Sequence, residues 1–383
     1  MQKTRLPSEL YIGLMSGTSI DGIDAALVDF SGNKICLLAF HYQAFPNALR
    51  QQLHHLSQPD QPVLLSHFGE IDAQLGQLFA QASLKLLEKA NLRPTDVTAI
   101  GSHGQTVYHA PEGQYGFSLQ IGDPNRLAQI TGITTVCDFR RRDIAVGGQG
   151  APLVPAFHQA AFFDPTTPKT ILNIGGIANI SILTTDQVSG FDTGPGNTLM
   201  DYWCQINIGQ NYDAHGDWAS TGQVNQDLLQ HLLDDAYFDL TPPKSTGKEY
   251  FSPAWLDQKI ASYRHCKTQD IQSTLCQFSA DSIAQAILRH APESRQVLVC
   301  GGGAHNQQLM AMLNNALQIP ILSTAEFGIE PDQVEAIAFA WLARQTLNGL
   351  PGNLCSVTGA QTPVILGGIY PGRYQVQNVG IAP

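Results

Sequence analysis

The chain has 383 residues, of which 43% are hydrophobic and 14% charged, with a formal net charge of −11. A length beyond the reach of one hydrophobic core predicts two domains, and the apolar content excludes a disordered chain. The acidic balance argues against nucleic acid or an anionic membrane as partner, and no apolar run is long enough to span a bilayer.

Taken in order, residues 9–15, 23–30 and 35–45 read as three strands, the last two joined by SGNK, and hairpin pairing predicts that they run antiparallel. Residues 63–90 read as a helix, because Phe68, Ile71, Leu75, Leu78, Phe79, Ala82 and Leu86 step by three or four. VTAIG at 97–101 and TTVCD at 134–138 follow as buried strands. Near residue 170 the pattern restarts: ILNIGGIANISIL and VSGF give three short strands with glycine turns. Helical stretches come next, then the strand QVLVCGGG, a helix from about 305, and a last helix over DQVEAIAFAWLARQTL. The chain thus holds one plan twice, without a sequence repeat. That predicts two α/β domains, 1–167 and 168–383, with the last helix open to returning to the first. A cleft between two such domains is a common ligand site. The seven cysteines are scattered with no CxxC pair, which fits reduced thiols. MQKTRLPSEL has no hydrophobic stretch, so a cytoplasmic location is expected.

Four glycine-rich stretches punctuate these elements: SGTS (16–19), VGGQGAP (146–152), DTGPGN (192–197) and CGGGAHN (300–306). Glycine permits positive φ and close approach of backbone to a ligand, and backbone N–H groups in such turns bind phosphate. One such turn implies only a tight bend; several at matching places in two repeated halves point to a phosphate-bearing ligand. DFRRRD (138–143) concentrates positive charge, and arginine forks suit carboxylate and phosphate. Read as a strand, its three arginines cannot share one face, so one or two of Arg140, Arg141 and Arg142 are expected to reach a site. His109 and His158 read as structural. KSTGKEYF (244–251) partly matches a phosphate loop but lacks its glycine spacing, and reads as a surface loop.

GLMSGTSIDGIDAALVDF, GSHGQTVYH, DFRRRDIAVGGQGAPLVPAFH, LNIGGIANIS, GFDTGPGNTLMDYW, LVCGGGAHN and EAIAFAWLA together resemble the anhydro-N-acetylmuramic acid kinase family. That family lies within the acetate kinase–sugar kinase–Hsp70–actin superfamily, and the similarity spans nearly the whole chain. The resemblance implies two actin-like (ribonuclease H-like) domains with mixed sheets flanked by helices and a central cleft. It also implies a reaction: ATP, water and a 1,6-anhydro-muramoyl sugar give the open sugar 6-phosphate and ADP, in recycling of the bacterial cell wall.

The resemblance implies site residues as well. Gly17, Thr18 and Ser19, within the turn that continues through Ile20, Asp21, Gly22, Ile23 and Asp24, would bind the β- and γ-phosphates of ATP. Asp21 or Asp24 would hold Mg²⁺ through water, with a turn cap as the other reading of Asp21. The wider superfamily has Asp-x-Gly-Thr at this turn; here Met15 replaces the aspartate that usually directs magnesium. Gly194, Pro195, Gly196 and Asn197 would form a second phosphate turn, and Gly301, Gly302, Gly303 and Asn306 would receive the adenosine. Asp192 would be the base that activates water, with a helix cap as its alternative. His103 and Gln105, on a loop after a strand, would contact sugar, with Arg140 and Arg142; Asp143 would bind a sugar hydroxyl or orient an arginine, and Glu335, opening the last helix, would contact sugar hydroxyls or serve only as a helix N-terminal acid. A homodimer is implied. Two other readings stand beside this one: another sugar or acyl kinase of the same superfamily, and a nucleotide-gated assembly protein of the actin or chaperone type.

Overall fold

Strand β1 (Leu10–Ser16) is buried at every position, as the centre of a sheet covered on both faces requires. It pairs antiparallel with β2 (Gly22–Asp29), which pairs antiparallel with β3 (Cys36–Ala44). On its other side β1 pairs parallel with β4 (Ala99–Ala110). Beyond β4 lie β6 (Thr135–Cys137), parallel to it, and the antiparallel edge strand β12 (Gly368–Tyr370), while β5 (Phe117–Ile121) pairs with the second half of β4. The computed structural model describes residues 9–32, 34–58, 62–185 and 188–373.

A second sheet repeats the plan with β7 (Lys169–Ile174) at its centre. Strands β8 (Ile177–Leu183) and β9 (Val188–Pro195) follow antiparallel on one side. Strands β10 (Gln296–Cys300) and β11 (Ile321–Ser323) lie parallel on the other. The first sheet therefore runs β3, β2, β1, β4, β6 and the second β9, β8, β7, β10, β11, one order of antiparallel and parallel partners about a central strand in both.

The chain divides into two compact units. One takes the described residues of Met1–Leu153, Glu335–Cys355 and Ala360–Pro383; the other takes Val154–Val334 and Ser356–Gly359. This division falls at 153/154, where the sequence suggested 167/168. In the first unit the Leu65–Ala90 helix buries Ile71, Leu75, Phe79, Ala82 and Leu86, and ends at Asn91 in the left-handed region. The Val334–Leu347 helix lies against β1 and β4. A Cβ on Gly13 would stand 1.7 Å from Ala336 O, and one on Gly101 2.0 Å from Phe339 O. Glycine in the strands and alanine in the helix let the two backbones approach. In the second unit the long Thr268–His290 helix packs Ile271, Leu275, Phe278 and Ile283 into the core.

Three expectations change. Strand β4 continues to Ala110, so His103 and Gln105 sit inside a strand; antiparallel pairing with β5, which follows it directly in the chain, supplies the partners that extend it. Arg141–Ala145 is a short helix after a left-handed turn at Asp138 (φ 62°), where a strand was expected. Asp192–Pro195 belong to β9 itself, held by its register with β8. A helix at Asn47–Leu56 also forms where none was predicted.

Candidate active site

The β1–β2 turn is braced from beneath. The Ser16 hydroxyl lies 2.8 Å from Gly22 O and 2.7 Å from Gln105 Oε1, and Gln105 Nε2 donates to Gly17 O at 3.2 Å. Ile20, at φ 57°, donates its N–H to Gly17 O at 3.2 Å and buries its side chain, as does Ile23. Gly22 has no room for a Cβ, which would meet Gln43 O at 2.5 Å. Ile20, Gly22 and Ile23 thus anchor the turn, while Thr18 and Ser19 form its exposed crown. Gln105 shapes this turn from within the strand.

Asp21 is exposed and forms an ion pair with Arg50 at 2.9 Å. Asp24 lies on β2 opposite Met15 and Tyr42. Among the described residues no group of three or more His, Cys, Asp or Glu side chains is arranged to hold a metal ion. Asp21 and Asp24 present carboxylate oxygens, the hard donors that Mg²⁺ takes, commonly with several of its waters kept.

The arginine stretch divides three ways. Arg140 is tied inward: Nη1 donates to Gly150 O at 2.8 Å, and Nε and Nη2 reach His103 Nε2 at 3.1 and 2.8 Å. His103 Nδ1 lies 2.9 Å from Gly104 O, so the proton sits on Nδ1 and Nε2 accepts. Burial, and then the charge of Arg140, hold His103 well below its ordinary pKa, so the ring is neutral. Burial lowers Arg140 to about 10, opposed by Glu335 and Asp143, and it stays charged at neutral pH. Arg141 pairs with Asp138 at 2.7 Å, and Arg142 is exposed. Asp143 is fully buried; it accepts from Gly150 N at 2.8 Å and Asn353 Nδ2 at 2.7 Å. It locks the 148–150 loop on which Arg140 rests. Glu335 opens the Val334–Leu347 helix, in electrostatic range of Arg140.

Asp192 lies on β9 opposite Asn179. Its N–H donates to Lys244 O at 3.2 Å, and its carbonyl accepts from Tyr237 Oη at 2.6 Å. Thr246 N donates to its Oδ2 at 3.0 Å. Burial raises the carboxyl to about 6, against the Thr246 hydrogen bond, with Glu249 adding to the rise. Asp192 does not cap the following helix, Thr198–Ile208, whose cap position is Asn197. A carboxylate near 6 is mostly ionised at neutral pH and a stronger base than a free aspartate.

The 194–197 stretch is clipped to the β7–β8 turn. Gly196 N and Thr198 N donate to Gly176 O at 2.9 and 3.1 Å, and Asn197 N donates to Gly175 O at 2.9 Å. These amides are spent within the protein. Gly194 (φ 145°) and Pro195 finish β9. Sequence reading passed over Gly175 and Gly176. Their turn joins the central strand of the second sheet to its antiparallel neighbour, just as 17–21 does in the first. The IGGI string carried that signal. The KSTGKEYF stretch, expected only as a surface loop, lies against this turn as well. The 244–249 loop holds Asp192, and Lys248 Cε lies 2.7 Å from the place of a Cβ on Gly176.

Gly301 (φ 80°) donates its N–H to Pro331 O at 3.0 Å. A Cβ on Gly303 would meet Ile174 Cγ2 at 2.2 Å, whereas Gly302 faces open space. Asn306 caps the Gln307–Leu317 helix through Leu309 N at 2.9 Å. Beside this loop lies a cavity of about 170 Å³, walled by Val299, Ala304, Met310 and Ile321, with Ser323 and Glu330 as polar lining. His109 and His158 bond Ser118 and Ser181 at 2.9 and 2.8 Å, and burial lowers them to about 4 and about 3.

A family model described as anhydro-N-acetylmuramic acid kinase matches residues 9–372. The anhydro-N-acetylmuramic acid kinase of Shewanella halifaxensis is 50% identical over 364 residues, 94% of this chain and 98% of that one. The Pasteurella multocida protein of the same name is also 50% identical over 364 residues, covering 94% of this chain and 96% of its own. Among solved structures, the activator of the 2-hydroxyisocaproyl-CoA dehydratase from Clostridium difficile, with bound ADPNP, aligns at 13% identity and a TM-score of 0.45, covering 86% of this chain and 92% of that one.

Proposed function

This chain belongs to the anhydro-N-acetylmuramic acid kinase family, and on that premise we propose that it opens 1,6-anhydro-N-acetylmuramic acid with water and phosphorylates O6 from ATP. The products are N-acetylmuramic acid 6-phosphate and ADP, in cell-wall recycling. The observation that carries the residue-level reading is Asp192: an ionisable carboxyl raised to about 6 and held by a backbone amide.

In this reading a water gives its proton to Asp192 as its oxygen bonds to C1. The C1–O6 bond breaks with its electron pair going to O6. O6 then bonds to the γ-phosphorus, and the bond between that phosphorus and the β–γ bridging oxygen breaks, releasing ADP. The proton held by Asp192 passes to solvent, so one proton leaves per turnover. A general base contributes roughly 10²–10⁴-fold, and the Thr246 N–H supplies the orientation that such a base needs.

Gly17 and the exposed crown of Thr18 and Ser19 are assigned to phosphate oxygens, and Asp21 and Asp24 would hold Mg²⁺ through water. Bound with ATP, Mg²⁺ neutralises charge on the transferring phosphoryl group. Since Gly196, Asn197 and Thr198 spend their amides on Gly175 and Gly176, Gly194–Asn197 act on phosphate by shaping that glycine turn. Gly301–Gly303, beside the cavity of about 170 Å³, are assigned to adenosine, and Asn306 sets the helix behind them. Arg140 and Arg142 are assigned to the lactyl carboxylate and Glu335 to sugar hydroxyls. His103, Gln105 and Asp143 are positioning residues that act through Arg140 and the first turn. A homodimer and a cytoplasmic location complete the proposal.

The test is ADP formation with the anhydro-sugar, with glucose, and with no sugar. Turnover that requires the anhydro-sugar is expected. Equal turnover on glucose would indicate an ordinary sugar kinase, and sugar-independent hydrolysis a nucleotide-gated assembly protein.

A further inference from the structure

Beyond its ladder with β8, Asp192 makes three hydrogen bonds to one short stretch of chain. Its N–H donates to Lys244 O, its carbonyl accepts from Tyr237 Oη, and its Oδ2 accepts from Thr246 N. All three partners fall within residues 237–246, which lead from the short turn Ala236–Asp239 toward the Pro253–Lys259 helix. From residue 240 to 252 the chain forms neither helix nor strand, so no regular ladder of its own holds it.

Asp235 holds it instead. Its Oδ1 accepts from Tyr237 N at 3.1 Å, at the start of the stretch, and from Tyr250 Oη at 2.7 Å, past its end. Its Oδ2 accepts from Trp255 Nε1 at 3.0 Å and lies 3.6 Å from Lys259 Nζ, both on the following helix. One carboxylate, 10% exposed, thus joins the two ends of the loop that surrounds Asp192. Beneath it the rings of Tyr237, Tyr250 and Trp255 pack on buried Phe251, with centroids 5.5, 4.9 and 5.2 Å away. Apolar packing gives adhesion without direction; the hydrogen bonds on Asp235 give direction. Burial alone would raise the Asp235 carboxyl, but the bonds from Tyr250, Trp255 and Tyr237 N, with the charge of Lys259, outweigh it and hold the group below its ordinary value. It therefore stays ionised across the range in which Asp192 titrates.

We infer that Asp235 is a positioning residue for the base: by joining the ends of the 237–250 loop it fixes the groups that orient Asp192 and limits the access of water to it. The inference rests on the reading of Asp192 as the base. A shift of about 1 Å in such a group costs up to about 10²-fold in rate. Asparagine at 235 keeps the shape but turns one oxygen into a donor that faces other donors, so the loop loosens. Burial is the largest cause of the raised Asp192 pKa, ahead of the opposing Thr246 bond, so a wetter site lowers it from about 6 toward the ordinary 3.8. Glu249, the charged group that adds to the rise, is then better screened, which acts in the same direction. The other groups facing Asp192 do not reverse this sign: Tyr237 is held neutral by burial, and Asn179 opposite on β8 carries no charge.

The test is a carboxyl-carbon NMR titration of the full chain labelled with ¹³C-aspartate, without nucleotide or sugar, the Asp192 signal being the one lost in Asp192→Asn. It is paired with kcat against pH for the anhydro-sugar. Asp235→Asn is expected to lower the Asp192 midpoint and the acid limb of kcat together by about one pH unit, and kcat at pH 7 by about tenfold or more. Tyr250→Phe removes one hydroxyl from a side chain that is 44% exposed, which spares the core, and is expected to move both in the same direction by less. An unmoved midpoint in Asp235→Asn, or in Tyr250→Phe where Asp235→Asn does not fold, would overturn the inference; a lower Tm with unchanged midpoint and kcat would mark the cluster as structural only. Absence of ADP formation by the wild type would sink the catalytic reading instead, and the titration would still decide whether Asp235 sets the surroundings of Asp192.

Discussion

Thr246 donates its backbone N–H to Oδ2 of Asp192 at 3.0 Å across 54 residues of sequence. A main-chain donor cannot swing away, so it fixes the carboxylate's orientation while leaving Oδ1 for other partners. Asp192→Asn keeps the shape and removes the base. Turnover should fall at least about 10²-fold, with ATP affinity largely kept. Steady-state kinetics with a nucleotide-binding assay check this; turnover within a few-fold of wild type would remove Asp192 from the base role.

The same carboxyl sets the pH response. Its folded pKa is raised to about 6 from the ordinary aspartate value of 3.8, chiefly by burial. The base works when ionised, so turnover should fall as pH drops below about 6, tenfold per unit well below it. For stability the sign is opposite. A raised folded pKa means the ionised form is disfavoured in the fold, so the favourable contribution exists below about 3.8 and is lost as pH rises through about 6. Asp192→Asn should therefore leave the Tm at pH 7 unchanged or higher; a large drop would mark Asp192 as a structural residue.

Ring opening by water has an isotopic signature. In ¹⁸O-water the product should carry label at C1 and none in the phosphoryl bridge, because the sugar's own O6 attacks phosphorus. The product must be read early, before the open-chain aldehyde exchanges. Label in the bridge, or none at C1, would exclude water activation by Asp192.

Arg140 holds its fork on His103 Nε2 and Gly150 O. Lysine keeps the charge but cannot make both sets of bonds. Arg140→Lys should raise KM for the anhydro-sugar about tenfold while KM for ATP changes little. Parallel changes in both constants would show that Arg140 supports the fold in general and not the sugar end.

A Cβ at residue 13 would stand 1.7 Å from Ala336 O, a backbone atom that cannot rotate aside. Gly13→Ala should push the Val334–Leu347 helix off β1 and destabilise the protein by about 3 kcal/mol or more, at the upper end of overpacking costs. Urea denaturation measures this, and a loss below about 1 kcal/mol would show that the helix can shift freely.

Much of the architecture was legible because local patterns repeat. The strands around 9–45 and 170–195 declared themselves by hydrophobic runs and glycine turns, and the Leu65–Ala90 helix by its spacing of apolar residues. Strand β4 reads only to residue 101 because its second half, SHGQTVYHA, is largely polar and is interrupted by Gly104 at φ 76° and a register shift between Thr106 and Tyr108, so it shows no hydrophobic run although its partner β5 is close in sequence. DFRRRD reads as a strand because the helix at Arg141–Ala145, of five residues, is too short to display a helical period.

The sequence by itself determined the repeated strand plan, the glycine turns, the lone aspartate before GPGN, and the family. Each of these is carried by residue types in a fixed order. Only the tertiary structure decided what the polar residues do. It turned His103 into a neutral acceptor for Arg140, made Asp143 a buried brace, spent the amides of 196–198 on Gly175 and Gly176, and closed the 244–249 loop over Asp192. Hydrogen bonds and desolvation depend on which groups meet in space, and most of those partners lie tens to hundreds of residues apart along the chain.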